Sequence, residues 1–83
     1  MALFYVTYDL RAPGRDYRRL GDRLMQLGGR PVLESVWAVK LDATARQLFD
    51  DLRGYIDQND RLLVINSADS AWTTNTLADP NKL

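Results

Sequence analysis

The chain has no cysteine, no histidine and a single glutamate, Glu34. The first absence excludes disulfides and thiolate metal sites, and the second removes the commonest zinc ligand and the commonest general base. No window approaches the roughly 20 apolar residues of a membrane span, and the amino terminus lacks a basic run followed by an apolar stretch. A cytoplasmic chain with no membrane partner is expected. Net charge is zero, which argues against a protein that grips nucleic acid by bulk electrostatics. The charge is nevertheless unevenly spread. Residues 1–41 carry seven basic and four acidic residues and residues 42–83 four basic and seven acidic, so the halves stand near +3 and −3.

What is present fits a single small domain of 83 residues with 46% apolar content. A domain of this size buries only roughly 60% of the surface its unfolded chain exposes. Its core alone supplies no more than about 3–5 kcal/mol. With disulfides and zinc excluded, dimerisation is the remaining way to staple such a fold.

Leu3-Phe4-Tyr5-Val6-Thr7-Tyr8 is dense in aromatic and β-branched residues and closes at Asp9, the pattern of a strand. Its side chains alternate, placing Phe4, Val6 and Tyr8 on one face and Leu3, Tyr5, Thr7 and Asp9 on the other. From Arg15 to Leu27, Tyr17, Leu20, Leu24 and Leu27 recur at helical spacing up to Gly28-Gly29. Arg15, Arg19 and Arg23 fall at successive i+4 positions and form one basic stripe, flanked by Arg18 and partly offset by Asp22. Pro31 to Leu41 is β-rich and about twice the usual strand length, so it reads as two strands that break near Glu34-Ser35. Thr44 and Gln47 have the spacing of a capping box. The helix they open gathers Ala45, Leu48, Phe49, Leu52, Tyr55 and Ile56 on one face. After the turn Asp57-Gln58-Asn59-Asp60, residues Arg61 to Asn66 form a further strand.

The order β-α-β-β-α-β predicts an α+β fold, a ferredoxin-like sandwich with two helices on one face of an antiparallel sheet. The other face, carrying Tyr5, Thr7 and Trp37 or its neighbours, is left as a dimer surface. Ser70 to Leu77 is threonine-rich and suits an extra carboxyl-terminal edge strand able to pair with a partner chain. The domain is thus expected over residues 1–77. Residues 78–83, with Pro80, read as a polar tail or cloning remnant.

No catalytic triad, phosphate-cradling glycine loop or zinc cluster is visible, which leaves carboxylate chemistry with magnesium or manganese. Asp9 is the candidate catalytic residue and metal ligand. It sits at the end of the first strand on the face expected to meet a partner, and a two-fold axis nearby would bring it together with its symmetry mate. Its other reading is a turn residue bonding backbone amides around Arg11 to Gly14. Arg11, Arg15, Arg19 and Arg23 are candidate phosphate contacts, or alternatively a solvated helix face. Trp37 and Trp72 read as core or interface anchors rather than stacking platforms. Glu34 either orients a metal-bound water or faces solvent.

Phe4-Tyr5-Val6-Thr7-Tyr8-Asp9-Leu10, the arginine-bearing helix, Glu34-Ser35-Val36-Trp37-Ala38-Val39-Lys40-Leu41 and the segment from Asp57 to Ile65 together resemble the small CRISPR-associated endoribonuclease, the second core Cas protein. The likeness covers roughly residues 3–66. It implies a ferredoxin-like homodimer whose carboxyl-terminal strand completes the partner's sheet. It further implies an Asp9 pair at the dimer axis assigned to magnesium-dependent phosphodiester cleavage, and a DNA-holding role beside an integrase partner in the acquisition complex. Trp37 and Ala38 replace a Phe-Glu pair frequent in that family, so one acid is missing. The loop Leu10-Arg11-Ala12-Pro13-Gly14 also departs from its usual acidic or polar character. These departures resemble the standalone relatives, the SinR-like proteins and the VapD-type toxin ribonucleases, for which fold transfers more safely than activity. Two functions follow as expectations: a metal-dependent endoribonuclease, or a non-catalytic scaffold dimer that binds RNA, DNA or protein.

Overall fold

A computed structural model describes residues 1–11, 18–67, 71, 75–78 and 80. Its elements are β1 (Ala2–Asp9), α1 (Arg18–Gln26), β2 (Arg30–Leu33), β3 (Val36–Leu41), α2 (Ala45–Arg53) and β4 (Arg61–Ser67). The strands form one antiparallel sheet in the order β2-β3-β1-β4, with both helices packed on the same face. This small α+β arrangement is compatible with a ferredoxin-like fold.

The alternation along β1 decides which face is covered. Phe4 and Val6 are fully buried, and Phe4 lies opposite Val39 and Val6 opposite Trp37 across the β1–β3 ladder. These four side chains meet Leu20 and Leu24 of α1 and Leu48 and Leu52 of α2 in the core. Burying each such Leu or Phe contributes about 1.5–3 kcal/mol. Trp37 therefore anchors the core, with its indole N–H donating to the Tyr8 hydroxyl at 3.1 Å. Its neighbours Val36 and Ala38 are the ones that turn to the open face, opposite Thr7 and Tyr5.

Local chemistry sets the element ends. Gly28 adopts φ +82°. Its N–H bonds the Met25 carbonyl at 3.0 Å while the Gly29 N–H bonds that of Leu24 at 2.8 Å. These are the two bonds of a Schellman cap. A Cβ on Gly29 would lie 2.8 Å from the Leu24 carbonyl oxygen, so the pair is needed for backbone shape and for clearance. The chain turns at Glu34-Ser35, where the sequence places the break, and Thr44 and Gln47 form the reciprocal capping box. The regular turns of α2 end at Arg53, but Tyr55 and Ile56 still pack on the core.

Much of the expected carboxyl-terminal strand and tail, Ser70, Trp72 to Thr74, Asp79 and Asn81 to Leu83, lies outside the described residues. Ala71 and Asn75 to Leu77 belong to no strand. Leu77 instead donates its N–H to the Val32 carbonyl at 2.9 Å, against the β2 edge of its own chain. Ala78 is half-buried and Pro80 is buried, so these two residues do not stand off in solvent.

Candidate functional site

Asp9 is the last residue of β1 and projects from the face opposite the helices, in register with Arg61 on β4. Arg61 Nη1 lies 3.4 Å and Arg11 Nη1 3.6 Å from the same oxygen, Asp9 Oδ2. Both distances are longer than the 2.7–2.9 Å of a strong charge-assisted bond, and all three side chains are about half exposed or more. The backbone holds the cluster in place. The Arg11 N–H donates to Asp60 Oδ1 at 2.7 Å, while Asp60 Oδ2 accepts the Asp57 N–H at 2.7 Å. Asp60 thus ties the strand exit to the loop before β4, and it is Asp60 rather than Asp9 that bonds the Arg11 amide. Thr7, Tyr8, Asp9, Arg61, Leu62 and Leu63 line a shallow depression of about 210 Å³ here.

The donor set does not fit a magnesium or manganese ion within one chain. It offers the Asp9 carboxylate between two guanidiniums, while the neighbouring Asp60 carboxylate is taken up by the Arg11 and Asp57 amides. Among the described residues no group of three or more His, Cys, Asp or Glu comes together. Two forked cations beside a weakly held carboxylate suit an oxyanion instead, because guanidinium geometry matches phosphate. Glu34 is exposed in the β2–β3 turn, which the Tyr8 N–H to Ser35 carbonyl bond at 3.4 Å draws near the end of β1.

The arginine stripe is placed elsewhere. Arg15 lies outside the described residues. Arg19 stacks over the Tyr55 ring at 5.4 Å. Arg23 gives Asp51 a two-pronged contact, Nε to Oδ1 at 2.9 Å and Nη2 to Oδ2 at 2.6 Å, and its Nη1 reaches Gln26 at 3.2 Å. This hydrogen bonding raises the Arg23 pKa above its ordinary value and lowers that of Asp51, with burial opposing both shifts. Arg19 and Arg23 therefore join α1 to the α2 region, in the helical layer, across the sheet from the Asp9 side chain. Of the candidate residues, the structure brings together Asp9 and Arg11.

Arg61 completes the cluster, and nothing in the local sequence singles it out. Its partnership with Asp9 depends on the β1–β4 register, across 52 positions, for which no local pattern exists. Comparison with known proteins finds no matching family model, curated protein or solved structure. The family resemblance rests on its short motifs alone.

Proposed function

We propose that the chain is a nucleic-acid-binding homodimer that contacts phosphates through Arg11 and Arg61 beside Asp9, and that it binds without cutting. The observation that carries this reading is the single Asp9 oxygen shared by two guanidiniums at 3.4 and 3.6 Å. Exposed pairs of this kind hold little energy, commonly about 0–1 kcal/mol, so a phosphate can draw both arginines away from Asp9 at small cost. The dimeric half is supported by the small core and by Leu33, Leu63 and Ile65, large apolar side chains left exposed. The resemblance to the acquisition scaffold and its standalone relatives points the same way.

The test is fluorescence anisotropy of labelled single-stranded RNA and duplex DNA against salt, alongside cleavage assays with EDTA, magnesium or manganese. Asp9→Asn removes the competing carboxylate and is expected to bind several-fold more tightly at low salt. Arg11→Ala with Arg61→Ala is expected to weaken affinity at least tenfold, and on duplex DNA the log K against log salt slope becomes shallower by about 0.9 for each phosphate no longer neutralised. Metal-dependent cleavage by the wild type that Asp9→Asn abolishes would overturn this reading in favour of the endoribonuclease.

A further inference from the structure

The two edges of the sheet are built differently. β2 has four residues, carries Pro31, breaks register between Pro31 and Leu33, and has the Val32 carbonyl bonded by Leu77. Each feature blunts an edge against further strand pairing. Among the described residues β4 has none of them. It runs seven residues, Arg61-Leu62-Leu63-Val64-Ile65-Asn66-Ser67, in unbroken register with β1 from Ser67 to Arg61. Among the described residues no strand pairs with its outer side. Leu63 and Ile65 are 54% and 45% exposed. An open groove of about 340 Å³, lined by Ala45, Arg46, Phe49, Leu62, Leu63 and Val64, runs between this edge and α2.

We propose that this edge receives the β4 of a second copy, antiparallel and centred on Val64, to give a continuous eight-stranded sheet. The strand is its own complement. In that register all seven residues pair, Leu63 faces the second copy's Ile65 on the open face, and Val64 faces its own mate on the groove side. Cross-strand aliphatic pairs of this kind stabilise antiparallel ladders. The strand's single charge, Arg61, falls opposite Ser67, so within the ladder no like charges face one another. The inference rests on the dimeric half of the proposed function and is independent of nucleic acid. It also separates the two Arg61 positions by roughly 20 Å along the strands, at about 3.4 Å per residue. This dimer and a metal site shared by two Asp9 carboxylates are mutually exclusive.

The natural absence of cysteine makes the test clean. Val64→Cys places two thiols directly opposite each other, at a separation a disulfide spans. It is expected to give mostly cross-linked dimer under mild oxidation at low protein concentration. Thr7→Cys, on the open face, is expected to stay uncross-linked. Leu63→Cys and Ile65→Cys are expected to cross-link when mixed and allowed to exchange subunits, but not singly, since diagonal neighbours lie about 7–8 Å apart. Light scattering of the wild type accompanies each. A dimeric chain in which neither Val64→Cys nor the mixture cross-links overturns the edge pairing while leaving the dimer itself standing. Cross-linking of Thr7→Cys instead identifies a face-to-face copy and likewise overturns it. A monomeric wild type removes both this inference and the dimeric half of the function. Loss of nucleic-acid binding in an edge-linked dimer leaves the inference intact.

Discussion

Each side of the sheet carries an arginine–aspartate contact, and the two differ in what surrounds them. On the helical side, Arg23 reaches Asp51 through two donors at 2.6 and 2.9 Å, and both side chains are under one-third exposed. On the open side, Arg61 and Arg11 share one Asp9 oxygen at 3.4 and 3.6 Å, open to solvent. The difference begins in the packing. Leu20, Leu24, Leu48 and Leu52 fix the two helices against the sheet and so set the spacing at which Arg23 and Asp51 meet. No such layer covers Asp9. A guanidinium held in a fork geometry by packed neighbours serves the fold, whereas one held weakly in solvent stays available to a ligand.

The largest expected effect contrasts the two sides at their apolar residues. Leu24 is fully buried between α1 and the sheet, while Leu33 is about half exposed on β2. Leu24→Ala is expected to lower unfolding stability by about 2–5 kcal/mol, through reduced burial and the cavity left behind. Leu33→Ala is expected to stay within about 0.5 kcal/mol. Urea denaturation of both, followed by circular dichroism, makes the comparison. Equal destabilisation would mean that the open face is as tightly packed as the covered one, and the asymmetry between the two faces would fail.

The next effect is read against pH. The Asp51 pKa is lowered in the folded chain, chiefly by its bond to Arg23. An acid whose folded pKa lies below its unfolded value adds stability that is fully present above the unfolded value, near 3.9. That stability disappears as pH falls through the folded value, because the folded state then takes up the proton and gives up the pair. The stability tied to the raised Arg23 pKa is constant across this range and is lost only at strongly alkaline pH. Thermal unfolding of the wild type and Asp51→Asn is expected to differ at pH 6–7 and to converge as pH falls below the lowered Asp51 value. Parallel curves at all pH values would show that the variant perturbs packing rather than the ion pair.

The same contrast explains which parts of the molecule are legible in the sequence. Strand alternation puts Phe4 and Val6 inside, helical spacing does so for Leu20, Leu24, Leu48 and Leu52, and the Thr44–Gln47 spacing marks the cap. All of these are local patterns with a fixed period. Trp37 settles in the core because its register with Val6 puts it on the helical face, which alternation within one strand cannot decide alone. The arginine stripe is legible as a stripe, but its bonding is not: Arg23 meets Asp51 28 positions away, through a helix crossing no local pattern encodes. Arg61 escapes sequence reasoning for the same reason. The threonine-rich stretch before Leu77 has strand propensity, but its core, Trp72 to Thr74, lies outside the described residues.

The smallest effect is a null expected on physical grounds, and it bears directly on the reading of the candidate site. Asp9→Asn removes a charge whose ion pairs are long, exposed and shared. The amide keeps the size and one acceptor oxygen of the carboxylate. The Asp60 side chain, which pins the Arg11 amide at 2.7 Å, is untouched by it. The melting temperature of Asp9→Asn is therefore expected to match the wild type at pH 7, while Asp51→Asn melts lower under the same conditions. A stable Asp9→Asn protein lets any change in nucleic-acid affinity be assigned to the charge itself. A large drop in its melting temperature would place Asp9 with Asp51 as a structural acid, and the two sides of the sheet would no longer differ in the use of this pair.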